Sequence, residues 1–225
     1  MDETASTIPP MTIPAPPRWR VPRVSGMTWD GNWDEIPALP PFILADGSGP
    51  ALQQTRLRLA WDDEALHVRF DCEDRDAWGT YRQRDEPLYE EEAVEVFLAP
   101  GAEDPARYAE FEVSPLGTLF DARIHNPTGL RADLVADRSW DCPGLVWKAG
   151  RGTERQDWWA TLAIPWAGIG TRDRLWRANF YRIERARDGG DGEPEFSCWS
   201  PTWTRPADFH KPARFGVLEL AESSL

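Results

Sequence analysis

Three glutamates, Glu95, Glu110 and Glu112, stand inside apolar segments that alternate with period two, AVEVFLAP (Ala93 to Pro100) and YAEFEVSP (Tyr108 to Pro115). Two carboxyl groups at the right separation can hydrolyse a glycosidic bond. Glu95 with Glu112, or with Asp85, is the pair that this chemistry would use. The same side chains can do something simpler, accepting hydrogen bonds from a polyhydroxy ligand without any proton transfer. A third reading is a solvated outer sheet face, with the glutamates paired across strands to Arg56, Arg58 or Arg69. The stretch RDEPLYEEE, just before Ala93, crowds Asp85, Glu86, Glu90, Glu91 and Glu92 around Tyr89. Glu95 therefore enters its strand beneath an acidic rim.

Aromatic residues gather in the loops, with Trp78, Tyr81 and Tyr89 early and Trp199, Trp203 and Phe209 late. A sugar ring has apolar C–H faces that stack on flat rings, while its hydroxyls meet planar polar side chains. The 13 Trp are too many for a site alone, so most must fill the core. Trp159, Trp61 and Trp176 are expected there, and Trp199 stands between core and site. His67, His125 and His210 show neither HxH nor HExxH spacing, which argues against a zinc enzyme. Met1, Met11 and Met27 all lie near the N-terminus, which argues against a haem held by Met and His. There is no GxSxG, Walker loop or GxGxxG. Asp62, Asp63, Asp74 and Asp76 sit in turns that could hold calcium, but no EF-hand pattern is present and hydrated turns are the simpler reading.

The elements that must position these residues read as strands. TRLRLAW (Thr55 to Trp61) and ALHVRFDCED (Ala65 to Asp74) form a hairpin across an acidic turn. TLFDARI follows a Pro-Leu-Gly turn; WWATLAIPW (Trp158 to Trp166) is nearly continuous in apolar character; LWRANFYRIER and FGVLEL (Phe215 to Leu220) complete the set. With 21 Pro and little helical periodicity, the pattern predicts an all-β fold, a two-sheet antiparallel β-sandwich of immunoglobulin-like or jelly-roll-like type with long loops. Residues 1–18 are Pro- and Thr-rich and are expected to form a flexible arm, followed by a single domain over 19–225.

A formal charge of −13 on 225 residues opposes nucleic acid and anionic membrane surfaces, and is indifferent to a neutral ligand. Cys72, Cys142 and Cys198 are odd in number and lack CxxC spacing, as expected of reduced thiols packed in the core. No stretch reaches the ~20 apolar residues that a membrane span needs. As it stands the N-terminus carries no basic region followed by an apolar one, which predicts a cytoplasmic protein, or an extracellular one if a signal peptide was removed.

The ordered set WDGNWDEIPAL, WDDEALHVRFDCED, RDEPLYEEEAVEVFLAP, YAEFEVSPLGTLFD, WWATLAIPW, WRANFYRIER and CWSPTWTRPADFHKPARFGVLEL resembles carbohydrate-binding module family 9 and its family 9-like relatives, from about Met27 to Leu220. The resemblance implies a β-sandwich that clamps a terminal sugar between two rings, sometimes with structural calcium. Those rings fall at Tyr89 and Phe209, the strand glutamate at Glu95 and the strand asparagine at Asn179. Glu112 stands where the family has a basic residue. Arg182, Glu184 and the Arg82 to Asp85 loop are offered as replacement donors and acceptors, with Trp78, Trp199 and His210 as further candidates. The reading is non-catalytic binding of a mono- or oligosaccharide without a cofactor, structural calcium aside. The alternatives are a protein-interaction or structural sandwich with a vestigial cleft, and a glycoside-active enzyme.

Overall fold

The computed structural model describes residues 13–26, 31–152, 157–187 and 193–224. Most of the expected arm, all three methionines, the start of the WDGNWDEIPAL motif and residues 188–192 lie outside the described residues.

Thirteen strands follow one another: β1 (Arg18–Arg23), β2 (Ile43–Leu44), β3 (Thr55–Trp61), β4 (Ala65–Cys72), β5 (Ala93–Pro100), β6 (Arg107–Val113), β7 (Leu119–His125), β8 (Val135–Asp137), β9 (Val146–Arg151), β10 (Trp158–Pro165), β11 (Leu175–Glu184), β12 (Glu195–Cys198) and β13 (Gly216–Ser224). A single helical turn, Trp166–Ile169, follows β10. No helix among the described residues is long and apolar enough to cross a membrane.

The all-β expectation is met, but the two separate antiparallel sheets are not what the hydrogen bonds draw. The strands form one path, β8-β7-β6-β5-β11-β13-β1-β3-β4-β10-β9, with β12 and β2 attached beside β11. β1 is the splice: it runs parallel to β13 on one side and to β3 on the other, giving a single curled sheet of mixed topology. The residue at the expected end of the arm, Arg18, already belongs to this splice. RWRVPR hides it from a sequence reading because arginines interleave its apolar residues and Pro22 interrupts it.

The curl brings two wings together over one core. Leu57 and Leu59 of β3, Val68 and Phe70 of β4 and Leu162 of β10 pack in a common cluster with Val94, Val96 and Leu98 of β5, Phe111 of β6 and Phe180 of β11. The Phe70 and Phe180 rings meet at 6.3 Å. Each such side chain contributes about 1.5–3 kcal/mol on burial. Because the side-chain period is two, the opposite face of β5, β6, β7 and β11 must carry the alternate residues. That face is also covered, by a second cluster in which Phe97, Tyr108, Phe120 and Tyr181 meet Leu88, Phe209 and Phe215.

Trp61, Trp176 and Trp199 are interior, as is Trp158. Trp159 is not. The alternation of β10 turns it to the outer face, where Arg69 stacks 4.4 Å above its ring. All three cysteines are free and buried.

Candidate functional site

Glu95 leaves β5 on the second face, beside Phe97, because Val94 and Val96 take the first. Across the ladder Glu95 is paired with Glu112 and Phe97 with Glu110, so all three carboxyl groups project from one side of two neighbouring strands. One oxygen from each lies within 4.8 Å of the other two. None is solvated: Glu95, Glu110 and Glu112 are all buried. This corrects the outer-face reading. The arginines proposed as cross-strand partners stand on the other wing, where Arg58 and Arg69 both bind Asp71, at 2.8 and 2.7 Å.

Three carboxylates in so small a space cannot all keep their charge unaided. Burial, then the neighbouring Glu110, pushes Glu95 well above the usual carboxylate range. Burial pushes Glu112 up in the same way, with Glu95 and Glu110 adding repulsion. Glu110 is raised to about 7 by burial, held down first by a side-chain hydrogen bond with Glu112 and then by Arg131 and Arg138. His210, buried and 4.0 Å from Glu110, is kept neutral, its pKa lowered to about 3. Its Nδ1 is hydrogen-bonded to the Tyr108 hydroxyl at 2.8 Å.

Above Glu95 and Glu110 opens a cavity of about 600 Å³. Tyr89 and Phe209 both line it. Tyr89 sits in a single 3-10 turn, Leu88–Glu90, pinned by the buried Leu88. Its ring meets Phe120 of β7 edge-on at 6.1 Å, and its hydroxyl accepts a hydrogen bond from Arg138 at 3.0 Å. Phe209 arrives on the loop before β13 and stacks on Tyr181 of β11 at 4.1 Å. β7 and β11 are separated by β6 and β5. The two ring supports are thus three strand spacings apart, about 14 Å along the sheet, with Glu95 and Glu110 on the strands between. The rim is basic: Arg131, Arg138, Arg185 and Lys211 line the mouth with Asp208. Lys211 binds Asp208 at 2.5 Å. Apart from Arg185, which ends the LWRANFYRIER segment, these rim residues come from segments without periodicity, and nothing in the sequence marked them.

Of the residues singled out from sequence, Tyr89, Phe209, Glu95, Glu110 and His210 line this cavity. Glu112 lies beside its floor, fully buried. The others do not line it. Asn179 is buried and ties Ser200 to β11: its amide donates to the Ser200 carbonyl at 2.7 Å, and its carbonyl accepts from the Ser200 and Phe180 N–H groups. Arg182 points into the interior, where it binds Asp74 at 2.8 Å and the carbonyls of Gln53 and Glu73. Glu184 is half-buried near this pair, its pKa raised by burial. Trp199 packs on Phe180 at 5.9 Å. Trp78 donates to the Arg185 carbonyl at 2.7 Å and so braces a rim residue from behind. Arg82 is exposed on the Arg82–Glu86 turn, and Asp85 receives the Asp121 N–H away from the cavity.

The hydrolytic pairings fail on the same geometry. Asp85 is not at the cavity, and Glu112 is shut off from it. Glu95 and Glu110 are side by side on one floor, whereas glycosidic cleavage needs carboxyl groups on either side of the scissile bond.

The aspartates suggested for calcium are engaged by the protein's own donors. Asp62 accepts the Glu64 and Ala65 N–H groups and contacts His67; Asp63 binds Arg23 and Arg172; Asp74 takes Arg182 and the Trp158 indole; Asp76 binds Arg187. Two other acidic groups have a spacing that could coordinate a metal ion, Asp85–Asp121–Asp141 and Glu95–Glu110–Glu112. In the first, Arg84 already sits among the carboxylates, 2.6 Å from Asp121 and 2.9 Å from Asp141.

Comparison with known proteins gives one consistent fold. A family model described as carbohydrate-binding family 9 matches residues 47–220. A Bacteroides uniformis protein provisionally described as carbohydrate-binding superposes with a TM-score of 0.70 at 17% identity, covering 91% of this chain and 99% of that one. A family 9 module of Caldicellulosiruptor kristjanssonii, solved with cellotriose, gives 0.61 at 15% identity over 92% and 95% of the two chains. The same organism's family 9 module with glucose gives 0.61 at 15% identity, over 92% and 97%. A protein of Arthroderma benhamiae called "Extracellular protein" is 26% identical over 147 residues, 60% of this chain and 65% of that protein's length.

Proposed function

The chain belongs to carbohydrate-binding family 9, and we propose that it binds a terminal sugar, without turnover, in the cavity between Tyr89 and Phe209. The observation that carries this is that two aromatic side chains, 120 positions apart (209 − 89) in sequence, line one open cavity over a polar floor. A pyranose presents an apolar face to a ring and its hydroxyls to carboxyl groups. Glu95 and Glu110 would meet those hydroxyls as acceptors when ionised and as donors when protonated. Arg131 and Arg138 would reach them from the rim, with the charge-assisted bonds worth about 1.5–3 kcal/mol each.

Glu95 and Glu110 give the floor an acidic character, so the sugar preference is expected to be this chain's own. The fold likeness to modules solved with cellotriose and glucose supplies the first two ligands to try. The Arthroderma protein's name favours the extracellular of the two compartments expected from sequence. Calorimetric titration of the full chain with glucose and cellotriose, followed by a glycan array, tests the reading. Saturable binding that weakens in Tyr89→Ala supports it. No sugar bound at millimolar concentration by the folded chain overturns it.

A further inference from the structure

The chain carries a formal charge of −13, yet the mouth of the cavity is positive. Arg131, Arg138, Arg185 and Lys211 line it against one aspartate, Asp208. Asp208 is already bound by Lys211 and lies 3.8 Å from Arg131. Arg138 and Arg185 form no ion pair among the described residues. Both converge instead on Tyr89. Arg138 donates to the Tyr89 hydroxyl at 3.0 Å, with its guanidinium 5.7 Å from the centres of the Tyr89 and Phe120 rings. Arg185 donates to the Tyr89 carbonyl at 3.4 Å and stands 5.4 Å from the Phe196 ring, and its Nε has no partner. A guanidinium has five N–H donors, so each keeps several to spare. The floor does not cancel this charge. Burial holds Glu95 well above the usual carboxylate range and Glu110 at about 7, so in mildly acidic solution both keep a proton and donate rather than repel.

We propose, resting on the carbohydrate-binding reading above, that the cavity selects an acidic sugar, whose anionic substituent is held by Arg138 and Arg185 while its ring lies against Tyr89. The planar guanidinium fork matches an oxyanion with two parallel hydrogen bonds, and such charge-assisted bonds are shorter and stronger than neutral ones. Arg131, exposed at the same mouth, adds attraction at longer range. A neutral sugar would use the ring and the floor and leave the two guanidiniums to water. The carboxylate of a uronic acid and the sulfate ester of a hexose both supply the required charge.

The test is calorimetric titration of the full chain, in mildly acidic buffer of low ionic strength, with four sugars: glucose, glucuronate, glucose 6-sulfate and glucuronamide, which has nearly the shape of glucuronate without its charge. At least one anion is expected to bind about tenfold more tightly than glucose and glucuronamide, equivalent to about 1.4 kcal/mol. The tighter of the two anions identifies the substituent. The preference should shrink as salt is added, because exposed charges are screened. It should also shrink in Arg138→Gln and Arg185→Gln, and persist in Arg82→Gln, which removes an exposed charge away from the cavity. Arg138 is exposed, so its variant is expected to fold and to decide the matter should Arg185→Gln not. Neutral sugars bound as tightly as both anions overturn the acidic-sugar selection and leave the carbohydrate reading standing. A preference that survives both salt and Arg138→Gln overturns the assignment to these arginines. A folded chain that binds none of the four sinks the carbohydrate reading, and the acidic sugar with it.

Discussion

The ring of Phe209 lies flat on that of Tyr181, with centroids 4.1 Å apart and planes 18° from parallel. Tyr181 also donates its hydroxyl to the Phe209 carbonyl at 2.8 Å, so ring and backbone are held by one residue of β11. Phe196 closes a third side edge-on at 5.8 Å. Tyr89 has no such bed. It is half-buried, touching Phe120 at its edge and Arg138 at its hydroxyl.

The two walls should therefore respond differently to truncation. Tyr89→Ala is expected to weaken sugar binding about tenfold, equivalent to about 1.4 kcal/mol, with little change in stability. Phe209→Ala should weaken binding and also cost about 3–5 kcal/mol of stability, the usual result for a buried Phe. Calorimetry and urea unfolding on both variants check this. Equal stability losses would mean that Tyr89 is core and not wall.

The contrast between the walls and the floor explains what was legible. β5 and β6 could be read from sequence because their period is two and each covers a core on one side. The same alternation placed Glu95, Glu110 and Glu112 on one face. It did not reveal that this face is covered, because the cover is made by loops carrying Arg131, Arg138 and Asp208 to Lys211, which have no period to detect. Arg182 and Asn179 were misplaced for a related reason. Polar residues in a strand suggest a ligand, but here the partner of Arg182 is Asp74, remote in sequence and brought by the curl of the sheet, and that of Asn179 is Ser200, set beside it by the antiparallel pairing of β12 with β11. The parallel splice at β1 was invisible because parallel pairing leaves no hairpin turn behind.

Arg182 gives a direct test of that distinction. Its guanidinium and the Asp74 carboxylate are both buried, so removing one partner strands the other charge. Arg182→Met should lower stability by about 3–5 kcal/mol. Sugar affinity, measured well below the unfolding midpoint, should stay the same. A selective loss of affinity with stability retained would return Arg182 to the binding site.

Gly216 tests the assignment of Trp199 to the interior. A Cβ there would come within 2.3 Å of the Trp199 ring and 2.9 Å of the Pro17 carbonyl. Neither can retreat easily, since Trp199 is wedged against Phe180 and Pro17 accepts the Val217 N–H at 2.9 Å. Gly216→Ala should cost about 1–3 kcal/mol, as overpacking does, and leave sugar affinity alone. An unchanged urea midpoint would show that Trp199 is free to move.

Glu92 sits behind the site and is a source of pH dependence unrelated to the cavity. It is 1% exposed, and burial, then the neighbouring Asp74, raises its pKa from 4.5 to about 10. The native chain therefore keeps a proton on Glu92 that the unfolded chain releases above about 4.5. Where the folded state binds more protons, stability falls as pH rises. The stabilisation from this proton is complete below the unfolded pKa and drains away as pH climbs towards about 10. Glu92→Gln keeps the shape of the protonated acid and cannot ionise. It should unfold at nearly the wild-type urea concentration in mild acid and at a progressively higher one as the buffer is made alkaline. Two midpoint curves that run parallel over that range would mean that Glu92 is charged in the fold, paired with Arg182 in competition with Asp74.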